Sequence, residues 1–110
     1  MIYEELVAGL QAIEGVRFAE YEWKTRPAGD FGTVQLDFEA AVENGDDCKV
    51  HRAWEGSVDL FTHGQNDTAV EAVEDVLTEI CGSSWELNSI QYERETRLIH
   101  REFVFQIEAR

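Results

Sequence analysis

The stretch Asn66–Gly82, NDTAVEAVEDVLTEICG, sets the strongest limit on how this chain can fold. Ala69, Val70, Val73, Val76, Leu77, Ile80 and Cys81 recur at three- and four-residue intervals. That spacing winds them into one apolar stripe along a helix of about four turns. Thr68 with Glu71 fits a capping box, Asn66 and Asp67 are alternative N-caps, and Gly82 is placed to end the helix in a left-handed conformation. A helix with one apolar stripe has to bury it. The flanking sequence is strand-like on both sides, so the helix is expected to cover one face of a sheet.

A second, shorter stripe runs through Ile2, Tyr3, Leu6, Val7, Leu10 and Ile13, with Gly15 as its stop. Gly9 lies inside it, so this helix must draw its stability from docking on the sheet. Residues 16–24, VRFAEYEWK, read as a strand, and 25–32, TRPAGDFG, as a loop punctuated by Pro27 and Gly29. Phe31 is then a loop aromatic, expected to tuck against the core or to anchor a partner.

The strand at 33–41 alternates cleanly, with Val34, Leu36, Phe38 and Ala40 pointing one way. Asn44-Gly45 in the acidic segment 43–47 suggests a hairpin turn, followed by a long strand at 49–62. Gly56 within that strand marks a bend, a bulge or a close approach. The resulting hairpin is expected to project beyond the sheet.

After Gly82, residues 85–93 change phase: Trp85 and Leu87 share one parity, Ile90 and Tyr92 the other, which predicts a bulge near Asn88-Ser89. The segment 96–108 is the best strand, with Ile99, Phe103, Phe105 and Ile107 on one face together with Arg101. The order is α-β-β-β-α-β-β. The fold class is therefore α+β, two helices on a mainly antiparallel sheet with a long projecting hairpin.

At 110 residues, 44% of them apolar, the chain is a single domain able to bury a core without crosslinks. Cys48 and Cys81 are two reduced thiols rather than a disulfide framework. No apolar run is long enough to span a membrane, and MIYEELVAGL has no basic start, so a cytosolic location or an assembly made in the cytosol is expected.

The formal charge of −14 disfavours binding along a nucleic-acid backbone or on an anionic membrane. It suits a solvated acidic surface or a basic protein partner. The charge is uneven: residues 1–93 hold 5 Lys/Arg against 20 Asp/Glu, and residues 94–110 hold 4 against 3.

No enzyme is indicated. Cys48 and His51 stand three apart, which on a strand puts them on opposite faces, and no second pair matches them. Asp46 and Asp47 fall short of a calcium loop. His63 and His100 lack a nucleophile in a recognisable setting, and no phosphate loop, HExxH or GxSxG occurs. No metal or other cofactor is expected.

The outward face of the main helix carries Glu71, Glu74, Asp75 and Glu79, an array of like charges that weakens an isolated helix. It reads either as a solvated face or as a ridge that meets basic groups such as Arg94, Arg97 and Arg101. Arg101, on an apolar face, is expected to need a carboxylate partner.

In layout and size the chain resembles the tail-completion or tail-terminator proteins of siphophages and prophages. The resemblance rests on the helix at 2–14, the hairpin at 33–62 with its WEGSVDLFT stretch, the helix at 67–81 and the closing hairpin at 85–108. It implies a structural protein of the virion tail, made in the bacterial cytoplasm. Such a protein terminates the tail tube or joins it to the head connector, as a ring of self-contacts, typically a hexamer. DNA would pass through the channel without specific binding, the acidic charge keeping it from sticking. Phe31, Trp54 and Phe61 are then expected near subunit contacts, with the acidic ridge facing arginines. The other reading is a small acidic cytosolic adaptor or inhibitor that presents its helix to a basic protein.

Overall fold

The computed structural model describes residues 2–39, 44–45, 48–49 and 53–108. Helix α1 (Ile2–Gln11) is followed by β1 (Val16–Glu20), β2 (Asp30–Glu39), the short β3 (Asn44–Gly45) and β4 (Cys48–Lys49), and the long β5 (Ala53–His63). Helix α2 (Asp67–Cys81), β6 (Trp85–Glu93) and β7 (Leu98–Glu108) complete the chain. Five strands form one sheet in the order β1-β2-β5-β7-β6, and β3 pairs with β4 in a separate two-stranded piece. All pairs are antiparallel except β1 with β2. This is the expected α+β fold, two helices on a mixed, mainly antiparallel sheet.

Alternation along the central strands sorts the side chains to two faces. Val34, Val58, Leu60, Phe103, Phe105 and Ile107 point to the helices, where they pack with Tyr3, Leu6, Val7, Leu10, Ala69, Val73 and Leu77. Each such side chain, once fully buried, contributes about 1.5–3 kcal/mol. The α2 stripe read from the sequence is therefore the lid of the main core. Gly9 explains itself against α2: a Cβ there would stand 2.9 Å from Val76 Cγ1, so its absence lets the two helices close up.

Asn66 caps α2, its side chain accepting from Ala69 N–H at 3.2 Å while its backbone takes the left-handed region at φ 38°. Gly82 also has positive φ, 62°, but with ψ −123° it is not the left-handed helical cap expected; its N–H still satisfies Thr78 O.

Several boundaries differ from the sequence reading. The first helix stops at Gln11 rather than running towards Gly15. β1 ends at Glu20 because Tyr21 turns to φ 66° and sends its N–H to Val34 O. β2 begins at Asp30, so Phe31 is a strand residue and not a loop aromatic; the parallel register Val16↔Asp30, Arg17↔Phe31 draws it in. A parallel partner leaves no hairpin signature in the sequence.

A register shift between Leu36 and Phe38 breaks the clean alternation expected for 33–41. It opposes Phe38 to Glu55 and leaves Phe38 exposed on the helix-free face. Asn44-Gly45 is a strand leg rather than the turn itself. Of the segment 49–62, Lys49 belongs to β4 and Ala53 onward to β5, with residues 50–52 outside the described ones. Ala40, the acidic tip at Asp46 and Asp47, and His51 lie outside the described residues. β7 begins at Leu98, after a turn in which Arg97 adopts φ 60° and donates its N–H to Glu93 O.

Candidate interaction surfaces

The bulge predicted in β6 is present between Leu87 and Ser89, and it settles the phase problem of that strand. Trp85 opposes Phe105, Leu87 opposes Phe103, Ile90 opposes Arg101 and Tyr92 opposes Ile99. All four partners belong to the helix-facing set of β7, so the one inserted residue, Asn88, brings all four apolar β6 side chains to the same side. Trp85 is half-buried and donates its Nε1–H to Thr78 Oγ1 of α2 at 3.1 Å. Leu87, Ile90 and Tyr92 are exposed.

On α2, Glu71, Asp75 and Glu79 are exposed and Glu74 is half-covered, so the acidic ridge is a surface feature. The arginines proposed to answer it are differently placed. Arg94 and Arg97 are exposed on the β6–β7 turn. Arg101 is buried within the subunit, its guanidinium donating to Thr62 Oγ1 at 3.3 Å and Gln65 Oε1 at 3.1 Å. A hydroxyl and a carboxamide thus take the place of the expected carboxylate.

Trp54 is half-buried against the main core from the far end of β5, opposite Glu39 and Ile107. Phe31 and Phe61 lie on the opposite, helix-free face, where they form a small core with Leu98 and Trp23. Their rings stack with centroids 4.9 Å apart, and His100 stacks on Phe61 at 4.2 Å. The Arg26 guanidinium stands 5.5 Å from both phenyl centroids. Trp23 donates its indole N–H to Gly32 O, which fastens the 21–29 connection over this cluster. The sequence signalled one core; this second cluster was not legible, because the neighbours of Phe61 and Leu98 two residues away on the same face, Asp59, His63 and His100, are polar.

Two histidine–aspartate pairs bracket the face. Asp59 Oδ1 meets His100 Nε2 at 2.7 Å, and Asp30 Oδ1 meets His63 Nδ1 at 3.1 Å. Asp30 also accepts from His63 N–H and from Asn66 Nδ2, so one carboxylate ties the start of β2 to the end of β5 and the cap of α2. Burial alone would raise the Asp30 pKa; these hydrogen bonds outweigh it and hold the group below its ordinary value.

The hydrogen bond to Asp59 raises the His100 pKa above its ordinary 6.5 despite partial burial. A raised folded-state pKa stabilises fully below 6.5 and loses its effect as pH climbs through the folded value. The melting temperature should therefore fall as pH rises above that point. His100→Gln should flatten this part of the profile and cost about 1 kcal/mol below it. Thermal denaturation from about pH 5 to 9 checks this, and identical slopes for both proteins would contradict it.

Among the described residues no group of three or more His, Cys, Asp and Glu is placed to hold a metal ion. Burial pushes the Cys81 thiol up to about 11, so it stays protonated and unreactive at neutral pH. No described helix is long and apolar enough to cross a membrane.

No protein-family model matches the chain, and no curated protein matches it. Among solved structures it is similar to a chain of the virion of a native gene transfer agent particle. The identity is 12% and the TM-score 0.53, over 97% of this chain and 90% of that one. At that identity the likeness is one of fold.

Proposed function

We propose that the chain is a structural subunit of a phage- or prophage-derived particle, a ring former that ends the tail tube or joins it to the head connector. The observation that carries the reading is the extent of the fold likeness: it takes in 97% of this chain and 90% of a chain from a gene transfer agent virion. The likeness runs through nearly the whole of both chains. What this surface offers, exposed apolar side chains and a large excess of negative charge, suits assembly.

A ring needs heterologous contacts, one patch of each subunit on a different patch of the next. The far end of the β2–β5 hairpin, with Phe38 exposed and Trp54 half-buried, supplies one such patch. The acidic ridge of α2 at Glu71, Glu74, Asp75 and Glu79 supplies charge for a second contact or for a channel wall that repels DNA. Phe31 and Phe61 act indirectly, by holding the helix-free face rigid.

Light scattering and electron microscopy of the purified protein, alone and with isolated tail tubes, test the reading. A mass near six times 12.6 kDa, or rings capping the tubes, is the expected result. Contacts made through charge should loosen as salt rises. A chain that stays monomeric at every concentration and leaves tail tubes uncapped overturns it.

A further inference from the structure

The helix-facing side of β6 carries a row of large apolar side chains that the described residues leave substantially exposed. Leu87, Ile90 and Tyr92 are 40%, 57% and 60% exposed. β6 is the last strand of the sheet, beyond β7, and α2 packs over β7. Contiguous exposed apolar surface of this kind marks a place where another molecule sits.

The charge beside it says what kind. Thr78 accepts the Trp85 indole N–H, so that flank of α2 looks onto β6. Glu74 and Glu71 lie one and two turns earlier on the same flank. From residue 67 to 93 the sequence has seven Asp/Glu and no Lys or Arg. The α2 side of this apolar floor thus carries carboxylates and no cation, while the exposed Arg94 and Arg97 lie beyond its end on the β6–β7 turn and the buried Arg101 is held by Thr62 and Gln65.

We propose that this strip is a docking site for a short amphipathic segment of a basic partner protein. Its apolar side chains would lie on Leu87, Ile90 and Tyr92, and its lysines or arginines against Glu71 and Glu74. That the partner is a neighbouring protein of the same particle rests on the assembly reading above. A second copy meeting this strip through the same face fits poorly, because its own acidic α2 flank would oppose an acidic wall. The bulge at Asn88 spoils the regular edge that an added strand would need, so the partner docks on the face rather than extending the sheet.

The test titrates the isotopically labelled full chain with a synthetic peptide of regularly spaced leucines and lysines, followed by NMR. Controls are a leucine–glutamate peptide and a glycine–serine–lysine peptide of equal charge. The leucine–lysine peptide should shift amides of β6 and of the facing flank of α2. The double variant Ile90→Ser/Tyr92→Ser, at exposed positions that leave the core intact, should weaken binding roughly tenfold or more. Glu71→Gln/Glu74→Gln should weaken it and flatten its salt dependence.

Equal binding by the serine variant, equal binding of the glycine–serine–lysine peptide, or shifts confined to other surfaces would each overturn the proposal. So would concentration-dependent self-association that Ile90→Ser/Tyr92→Ser abolishes, since the occupant would then be a second copy. The titration reads β6 directly, so it can fail while rings form, and rings can fail while it succeeds.

Discussion

Phe103→Ala is expected to lower the unfolding free energy by about 3–5 kcal/mol, a large share of the 5–15 kcal/mol that holds a domain together. Phe103 is fully buried at the middle of β7, in the cluster that α1 and α2 close from above. Its strand neighbours Val58 and Leu87 sit in fixed register on either side, and the Trp85 ring tilts against it with centroids 6.0 Å apart. Surroundings tied down by two ladders relax little, so truncation leaves a cavity as well as losing apolar burial. Urea unfolding measures the effect, with the midpoint falling and the slope unchanged. A loss below about 1.5 kcal/mol would mean that the helices can sink to fill the space.

Gly56→Val should be nearly as damaging, at about 3 kcal/mol, with Gly56→Ala doing less. Any Cβ at Gly56 would run into the Gln35 carbonyl oxygen on one side and the Phe105 ring on the other. The ring can turn; the carbonyl belongs to the β2–β5 ladder and cannot move without opening it. The cost therefore falls on pairing between the central strands, and chemical denaturation of both variants reads it. Wild-type stability in Gly56→Val would show that β2 yields at its bulge between Leu36 and Phe38.

These two positions also show what the sequence could disclose. Phe103 belongs to a strict alternation and α2 to a strict helical stripe, and such periodic signals survive in one dimension because burial of one face imposes them. Gly56 was legible as a bend, a bulge or a close approach; choosing the last needed the fold, since the carbonyl that makes it one comes from a different strand. The parallel pairing of β1 with β2 left no mark at all, and Phe31 was assigned to a loop as a result. Phe38 was placed on the wrong face because a bulge obeys no local composition rule. In β6 the bulge was foreseen from the phase change, yet its result, four apolar side chains on one side, needed the register against β7. Arg101 shows a different limit: the sequence said that a buried guanidinium needs partners, and the fold supplied Thr62 and Gln65 instead of an acid.

Asn88 itself has a consequence for solubility. Without it, the residues from Trp85 to Glu93 would read as unbroken alternation, apolar at every second position. Such a strand at a sheet's end is a flat, sticky template on which copies of the same chain can stack without limit. The inserted residue twists the template out of true, and its side chain amide is fastened to Glu102 Oε1 at 2.7 Å. The apolar row stays available to a specific visitor while fibre growth along the edge is blocked. A single inserted residue thus works against edge-to-edge pairing of this strand.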